Sequence, residues 1–335
     1  MTDVPLMTPE HVYANAQLFV GRVADLMATA LASRDGVAGE AARYAIAAGG
    51  KRLRPVLVHA ARPKSVAADA WTEVALSYAA AVELIHTASL MHDDMLDGAV
   101  IRRGRTTTHE AWDPRVATAA GDLLFATAFK LLVVSRHRTG DAAAMDAVHT
   151  LATVARILAE GEAVQAEQAF DPTVSLGAYR ERCIAKTGVL FGAALRFGGL
   201  AGGAPAHDLE RLEHIGCEVG LAFQIVDDML DVAIDADAVD RLGKVPGADI
   251  RDGTMSAPLL VALEQDPELA ELVRSQDTDV PTILHRIHAT DALSRCAAWA
   301  SQTVDTACEE LDELEMEFDI PALRAVAMAS IQRLA

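Results

Sequence analysis

The pentad Asp-Asp-Met-Leu-Asp occurs twice, at 93–97 and again at 227–231, and each copy closes a long apolar run of helical periodicity. No other feature constrains the fold as tightly. Asp93 and Asp97 are four residues apart, so on a helix they share one face about one turn apart. Like charges at that spacing repel, and a helix C-terminus favours cations over carboxylates. Such an end calls for a positive partner. Oxygen-only ligands select a hard ion such as Mg²⁺, which keeps several waters and takes one or two carboxylates together with substrate phosphates. Two acidic helix ends could close on one diphosphate from opposite sides. A lone Asp pair is ordinarily solvated surface, but two identical copies, the first followed by Arg102-Arg103-Gly104, argue against that.

Composition agrees with helices. Aromatics are 4% of the 335 residues, alanine is abundant and 51% of residues are hydrophobic; this suits closely packed helices better than sheets. Helical spacing is read over 9–33, with Thr8 as N-cap, 38–48, 69–97, 116–138, 141–169, 175–200 and 206–233, and again beyond 256. Gly49-Gly50 caps the second of these, and Pro55 can open the next helix. The window 116–134 carries Asp122 and Lys130 and reads as a buried core helix rather than a membrane span. No Pro-, Gly- or Ser-rich linker separates two halves, and MTDVPLMTPEH, with no basic region before an apolar core, does not read as a signal peptide.

A net charge of −19 argues against a nucleic-acid surface. The cations cluster at 51–54 and 102–105, which fits small anionic substrates. Lys51, Arg52 and Arg54 form a basic cluster on a Gly-flanked turn, readable as a diphosphate holder or as a solvated basic turn. Cys183, Cys217, Cys296 and Cys308 show no CxxC pairing, so a reducing, cytoplasmic setting is expected. The polar stretch 235–255 is acidic apart from Arg241, Lys244 and Arg251, and loops of such length are often lids.

Several motifs fall in order across about residues 40–265: Gly50-Lys51-Arg52-Leu53-Arg54-Pro55, His86 with His92-Asp93-Asp94-Met95-Leu96-Asp97, Arg102-Arg103-Gly104, Gly121-Asp122, Lys186-Thr187-Gly188, Phe223-Gln224 with the second pentad, and Gly243-Lys244 before Gly247-Ala248-Asp249. In these the chain resembles the trans-isoprenyl diphosphate synthases, or polyprenyl synthetases. The resemblance implies an all-α fold of isoprenoid synthase type, a single domain over 1–335 built as a bundle of long, mostly antiparallel helices around a central substrate cavity, and a homodimer. It implies that Lys51, Arg54, His86 and Arg103 bind isopentenyl diphosphate, that Arg102, Lys186, Thr187 and Lys244 serve the allylic diphosphate, and that Gln224 also binds substrate. Asp93, Asp97, Asp227 and Asp231 are then the ligands of two or three Mg²⁺ ions. One departure stands out: where many members carry a Gly-Lys pair, Gly253 is followed here by Thr254, so the lysine that the resemblance would place on the allylic diphosphate is absent, as in some long-chain members.

The implied reaction breaks an allylic C–O bond, leaves a delocalised cation and frees diphosphate. Holding that departing charge more tightly than the ester is electrostatic transition-state stabilisation, the role implied for Asp93, Asp97, Arg102, Lys186, Asp227 and Lys244. Ala88 and Ser89, small residues five and four before Asp93, set no short floor below the first pentad. An all-trans product of at least twenty carbons is expected, with Tyr78 and Trp71 deeper along the helix and Phe125 and Phe129 at its side. Two rivals remain, a class I terpene cyclase and a non-catalytic subunit of a heteromeric synthase. The first needs no isopentenyl site, and the second typically lacks the Asp motifs.

Overall fold

Proline and glycine set many of the helix boundaries. The computed structural model describes residues 8–32, 35–233, 246–275 and 279–332. Helix α1 (Pro9–Ala32) opens on proline, whose missing N–H is no loss in a first turn. It buries Val12, Ala16, Phe19, Val23, Met27 and Leu31 along one stripe. Helix α2 (Val37–Ala47) stops before Gly49, whose φ of 70° ends it in the left-handed conformation. Helix α3 (Leu53–Ala60) begins two residues before Pro55 rather than at it, so the proline lies in the first turn, where it interrupts no ladder bond.

Helix α4 (Ala68–Leu96) carries the first pentad. From Val74 to Ile85 every residue is buried, the pattern of a helix surrounded by neighbours. Trp71 anchors its beginning, with Nε1 donating to the Gly198 carbonyl at 2.9 Å and the rings of Phe19 and His59 packed around it. Helix α5 (Thr108–Ala111) is a single turn, and α6 (Pro114–Thr139) is capped by Asp113, which accepts from the Val116 amide at 2.9 Å. Then follow α7 (Asp141–Glu167), α8 (Leu176–Cys183), α9 (Val189–Ala201) and α10 (Ala206–Asp231), which carries the second pentad. Beyond it are helices Ala248–Arg251, Ala257–Gln265, Leu269–Arg274, Val280–His288, Ala292–Glu310 and Ile320–Ala329.

The chain forms two compact units interleaved in sequence. The first holds the residues up to Ala155, with Leu190–Gly216 and Leu311–Val326. In it α4 packs on α1, α3 and α6. The second holds Arg156–Val189, Cys217–Glu310 and the residues from Ala327 onward. There the helix Ala257–Gln265 packs on Ala292–Glu310 and Val280–His288.

Three local features differ from the sequence reading. The loop 98–107 contains a small hairpin, Ile101–Arg102 paired antiparallel with Arg105–Thr106. The helix expected over 175–200 is interrupted by a π-helical turn, Ile184–Gly188. The lid-like stretch 235–255 includes the short helix Ala248–Arg251, while Lys244, with the rest of 234–245, lies outside the described residues.

Helices α4, α6, α7 and the run Leu176–Ala201 are long and apolar enough to cross a membrane by length and composition. The most apolar window of α4 is 78% buried and that of Leu176–Ala201 is 72% buried, so these two spend their apolar residues inside the protein. The corresponding window of α6 is only 39% buried. The expected core helix over 116–134 therefore buries one face, through Ala117, Ala120, Gly121, Leu124 and Ala128, and leaves Val133 and Val134 exposed at its end.

Candidate active site

In the first unit the site is built on the last three turns of α4. His86, Ser89, Leu90 and Asp93 follow one another at helical spacing and are all partly exposed, while Ala88 and Met91 between them are buried. Of the two residues expected to set product length, Ser89 therefore lies on the open stripe and Ala88 in the packing. The helix ends as Asp97 donates its amide to the Asp93 carbonyl at 2.8 Å. Asp94, the middle acid, is buried and accepts from Arg102 Nε. The outer pair, Asp93 and Asp97, keeps more exposure than Asp94.

The hairpin explains the Arg-Arg-Gly motif. Arg103 and Gly104 have φ of 53° and 73°, the type I′ turn that joins two strands through a two-residue loop. A left-handed arginine is strained, and strain of this kind concentrates at functional sites. The turn aims Arg103 back at α2, where its Nη1 donates to the Gly49 carbonyl. Gly50 has a φ of 130°, which favours glycine, and its missing Cβ leaves the space that the Arg103 guanidinium occupies. Arg105 stacks on the Tyr44 ring at 4.2 Å, and Tyr44 in turn donates to the Thr106 carbonyl at 2.9 Å. A pocket of about 50 Å³ opens here, lined among others by Tyr44, Gly49, Thr87, Asp94, Arg102 and Arg103.

Beside it, Arg54 places its guanidinium 5.2 Å from the centre of the Phe191 ring. Burial lowers its pKa to about 10, partly offset by Glu83, and it stays charged at neutral pH. His86 is held well below the usual imidazole range, first by burial and then by Arg54, Arg103, Arg102 and Arg52. It is therefore a neutral ring facing a cluster of guanidiniums. Lys51 is exposed on the adjoining turn. This nest unites Arg54, His86 and Arg103, separate in sequence, beside the acidic end of α4.

In the second unit, α10 presents a half-buried Asp227 and two buried acids. Asp228 accepts from Tyr179 Oη at 2.8 Å, the Ala257 amide at 3.0 Å and Gln224 Nε2 at 2.8 Å. Burial raises its pKa to about 6 against those three hydrogen bonds. Asp231, expected as a metal ligand, accepts from the amides of Ala248 and Asp249 at 3.3 and 3.1 Å, so it caps the short helix Ala248–Arg251. A carboxylate has lone-pair sites left after two such bonds.

The π turn positions Lys186 and Thr187. Turns of this kind inside helices recur at functional sites. Lys186 pairs with Glu162 at 2.5 Å, and a Cβ on Gly161 would stand 3.1 Å from Lys186 Cγ. Thr187 donates to Gln224 Oε1 at 2.9 Å, which joins Thr187, Gln224, Asp228 and Tyr179 in one chain of hydrogen bonds. Thr254 follows Gly253, whose φ of 75° and close contact with the Phe170 ring require glycine.

Among the described residues no cluster of three or more His, Cys, Asp or Glu is disposed to hold a metal. Paired hard carboxylates at a helix end fit an ion that completes its shell with waters and substrate phosphates. Sequence reasoning missed Glu83, Tyr179 and Arg182, whose partners lie far away in the chain. It also passed over Asp94 and Asp228, which occupy the same middle position in both pentads, a regularity that could have marked them as structural.

A family model described as "Polyprenyl synthetase" matches residues 36–289. The chain is 36% identical to the nonaprenyl diphosphate synthase of Mycobacterium tuberculosis over 92% of its own length and 89% of that protein's. It is also 36% identical to the heptaprenyl diphosphate synthase component 2 of Geobacillus stearothermophilus, over 89% and 91%. In fold it resembles a Caulobacter crescentus polyprenyl synthase crystallised with calcium and isoprenyl diphosphate, with a TM-score of 0.87, 33% identity and 99% of both chains covered. A decaprenyl diphosphate synthase from Rhodobacter capsulatus gives a TM-score of 0.83 at 29% identity, over 98% and 99%.

Proposed function

The chain belongs to the polyprenyl synthetase family, and from that membership we propose how its residues divide the work of a prenyltransferase. It condenses isopentenyl diphosphate with an allylic diphosphate to an all-trans polyprenyl diphosphate of at least twenty carbons, a length supported by relatives named nonaprenyl, solanesyl and heptaprenyl diphosphate synthases. The observation that carries the assignment of the isopentenyl site is the nest of Arg54, Arg103 and neutral His86. Guanidinium forks match phosphate oxygens bidentately, and a neutral imidazole adds a donor without a further charge. Lys51, exposed on the same turn, completes the set.

Arg102, Lys186, Thr187 and Gln224 serve the allylic diphosphate, and Lys244 joins them from outside the described residues. Asp93, Asp97, Asp227 and Asp231 hold Mg²⁺, two or three ions in all, which when bound neutralise charge on the departing diphosphate. That a relative was crystallised with calcium and isoprenyl diphosphate supports a divalent cation and a diphosphate as ligands. The arginines and Lys186 bind diphosphate oxygens with charge-assisted hydrogen bonds that strengthen as the C–O bond lengthens. Apolar helix walls exclude the water that would quench the cation. The isopentenyl double bond attacks it, and the proton then lost goes to diphosphate.

We further infer one domain, a homodimer, a cytoplasmic location and no membrane-crossing segment. The apolar outer face of α6, with Val133 and Val134 exposed, offers a surface for a second copy. None of the four cysteines is in a disulfide, which suits a reducing compartment. The test is an incubation with radiolabelled isopentenyl diphosphate and several allylic starters, each substrate also alone. Product should need both substrates and disappear with EDTA. Product from the allylic diphosphate alone would indicate a cyclase instead, and product only after adding a second chain would indicate a heteromer.

A further inference from the structure

Glu83 lies on α4 one turn before His86 and is 2% exposed. A buried carboxylate is costly unless paired, and this one sits in the cationic nest. Its Oε1 accepts from Arg52 Nη1 at 2.9 Å, and Arg52 Nη2 reaches the Ile46 carbonyl of α2 at 2.7 Å. Arg52 is therefore committed to the protein, although it stands between Lys51 and Arg54 in the basic motif. Its φ of 47° places it in the left-handed region as the residue that starts α3. An arginine holds that conformation only where its surroundings over-determine it, and here the two ends of its guanidinium are tied to α2 and α4. The same carboxylate acts on Arg54 and Arg103 and counters the loss of basicity that burial causes in both. The guanidiniums of Arg52, Arg54 and Arg103, all close to His86, repel one another, and Glu83 is a buried anion paired with the first and acting on the other two.

We propose that Glu83 is a positioning residue for isopentenyl diphosphate: through Arg52 it sets the turn that presents Lys51 and Arg54, and it keeps Arg54 and Arg103 convergent before substrate arrives. Glu83 touches no substrate in this assignment. The inference rests on the reading of the nest as the isopentenyl site, so the two are tested side by side.

The experiment is steady-state kinetics on the full-length enzyme with each diphosphate varied in turn, together with thermal melts. Glu83→Gln should raise KM for isopentenyl diphosphate at least tenfold and leave KM for the allylic diphosphate within twofold. Glu83→Asp, which keeps the charge but draws it back by one methylene, should raise the isopentenyl KM about threefold with the same selectivity. Arg52→Gln combined with Glu83→Gln should be no worse than the more affected single variant, because both break one pair. An isopentenyl KM within twofold of wild type, an equal rise in both KM values, or additive effects in the double variant would overturn the proposal. A merely structural role would lower the melting temperature without separating the two KM values. If Glu83→Gln does not fold, Glu83→Asp decides by the same criterion. Arg103→Ala is the control for the site itself. If it leaves the isopentenyl KM unchanged, the nest is not the isopentenyl site; if it raises that KM while Glu83→Gln does not, only the positioning role fails.

Discussion

Two glycine-to-alanine substitutions in helices should move stability in opposite directions. Propensity alone favours alanine in a helix by about 1 kcal/mol. At Gly21 in α1 a Cβ would meet nothing within 4 Å, so Gly21→Ala should gain about 0.5–1 kcal/mol. At Gly198 in α9 a Cβ would stand 2.4 Å from the Val58 carbonyl oxygen and 2.6 Å from Ala61 Cβ. Ordinary contact needs about 3.4 Å, so α3 must retreat by roughly 1 Å, and it is backbone that must yield. Overpacking of this kind costs about 1–3 kcal/mol against a propensity gain of about 1 kcal/mol; from the middle of that range the net loss should be about 1 kcal/mol. For a chain this long each kcal/mol shifts Tm by about 1.5 °C, so Gly198→Ala should melt about 1.5 °C lower and Gly21→Ala about 1 °C higher. The retreat also displaces α3, which carries Arg54, and the isopentenyl KM should rise with it. Scanning fluorimetry on both variants is sufficient. A Tm for Gly198→Ala at or above wild type would refute the claim that glycine is there for close packing.

Asp93→Asn and Asp227→Asn should each lower kcat by about a hundredfold or more, measured with both substrates saturating; either variant at wild-type kcat would remove that pentad from the metal site. Asp228 titrates at about 6 in the folded protein against roughly 4 unfolded. The native state thus holds the extra proton, and this contribution to stability is fully present below pH 4 and is lost as pH rises through 6. Melts in metal-free buffer should show that loss, and Asp228→Asn should abolish it; an unchanged pH profile in the variant would place the titration elsewhere. Ser89→Phe fills the open stripe of α4 and should shorten the products resolved by chromatography, whereas an unchanged length distribution would take this helix out of the tail path.

The helices and both acidic ends were legible in the chain because the patterns behind them are local. A buried stripe in α1, the long apolar run of α4 and the four-residue spacing of Asp93 and Asp97 need no distant partner to be read. The basic turn at Lys51 and the hairpin arginines were legible for the same reason, as residue types packed into a few positions. Whether a given charge binds ligand or holds the protein together was not legible. Arg52 and Arg54 look alike in sequence; 31 residues away Glu83 claims the first, while the second stacks on Phe191. Asp227 and Asp228 are adjacent, yet a helix turns about 100° per residue, which sends Asp228 inward to Tyr179 and the Ala257 amide. The π turn at Lys186 has no signature of its own; in the structure it lies against Gly161 and the Cys217 backbone. Local periodicity determines which segments become helices, while the partner of each charge is decided only when distant segments come into contact and bury it, because burial is what makes an unpaired charge intolerable.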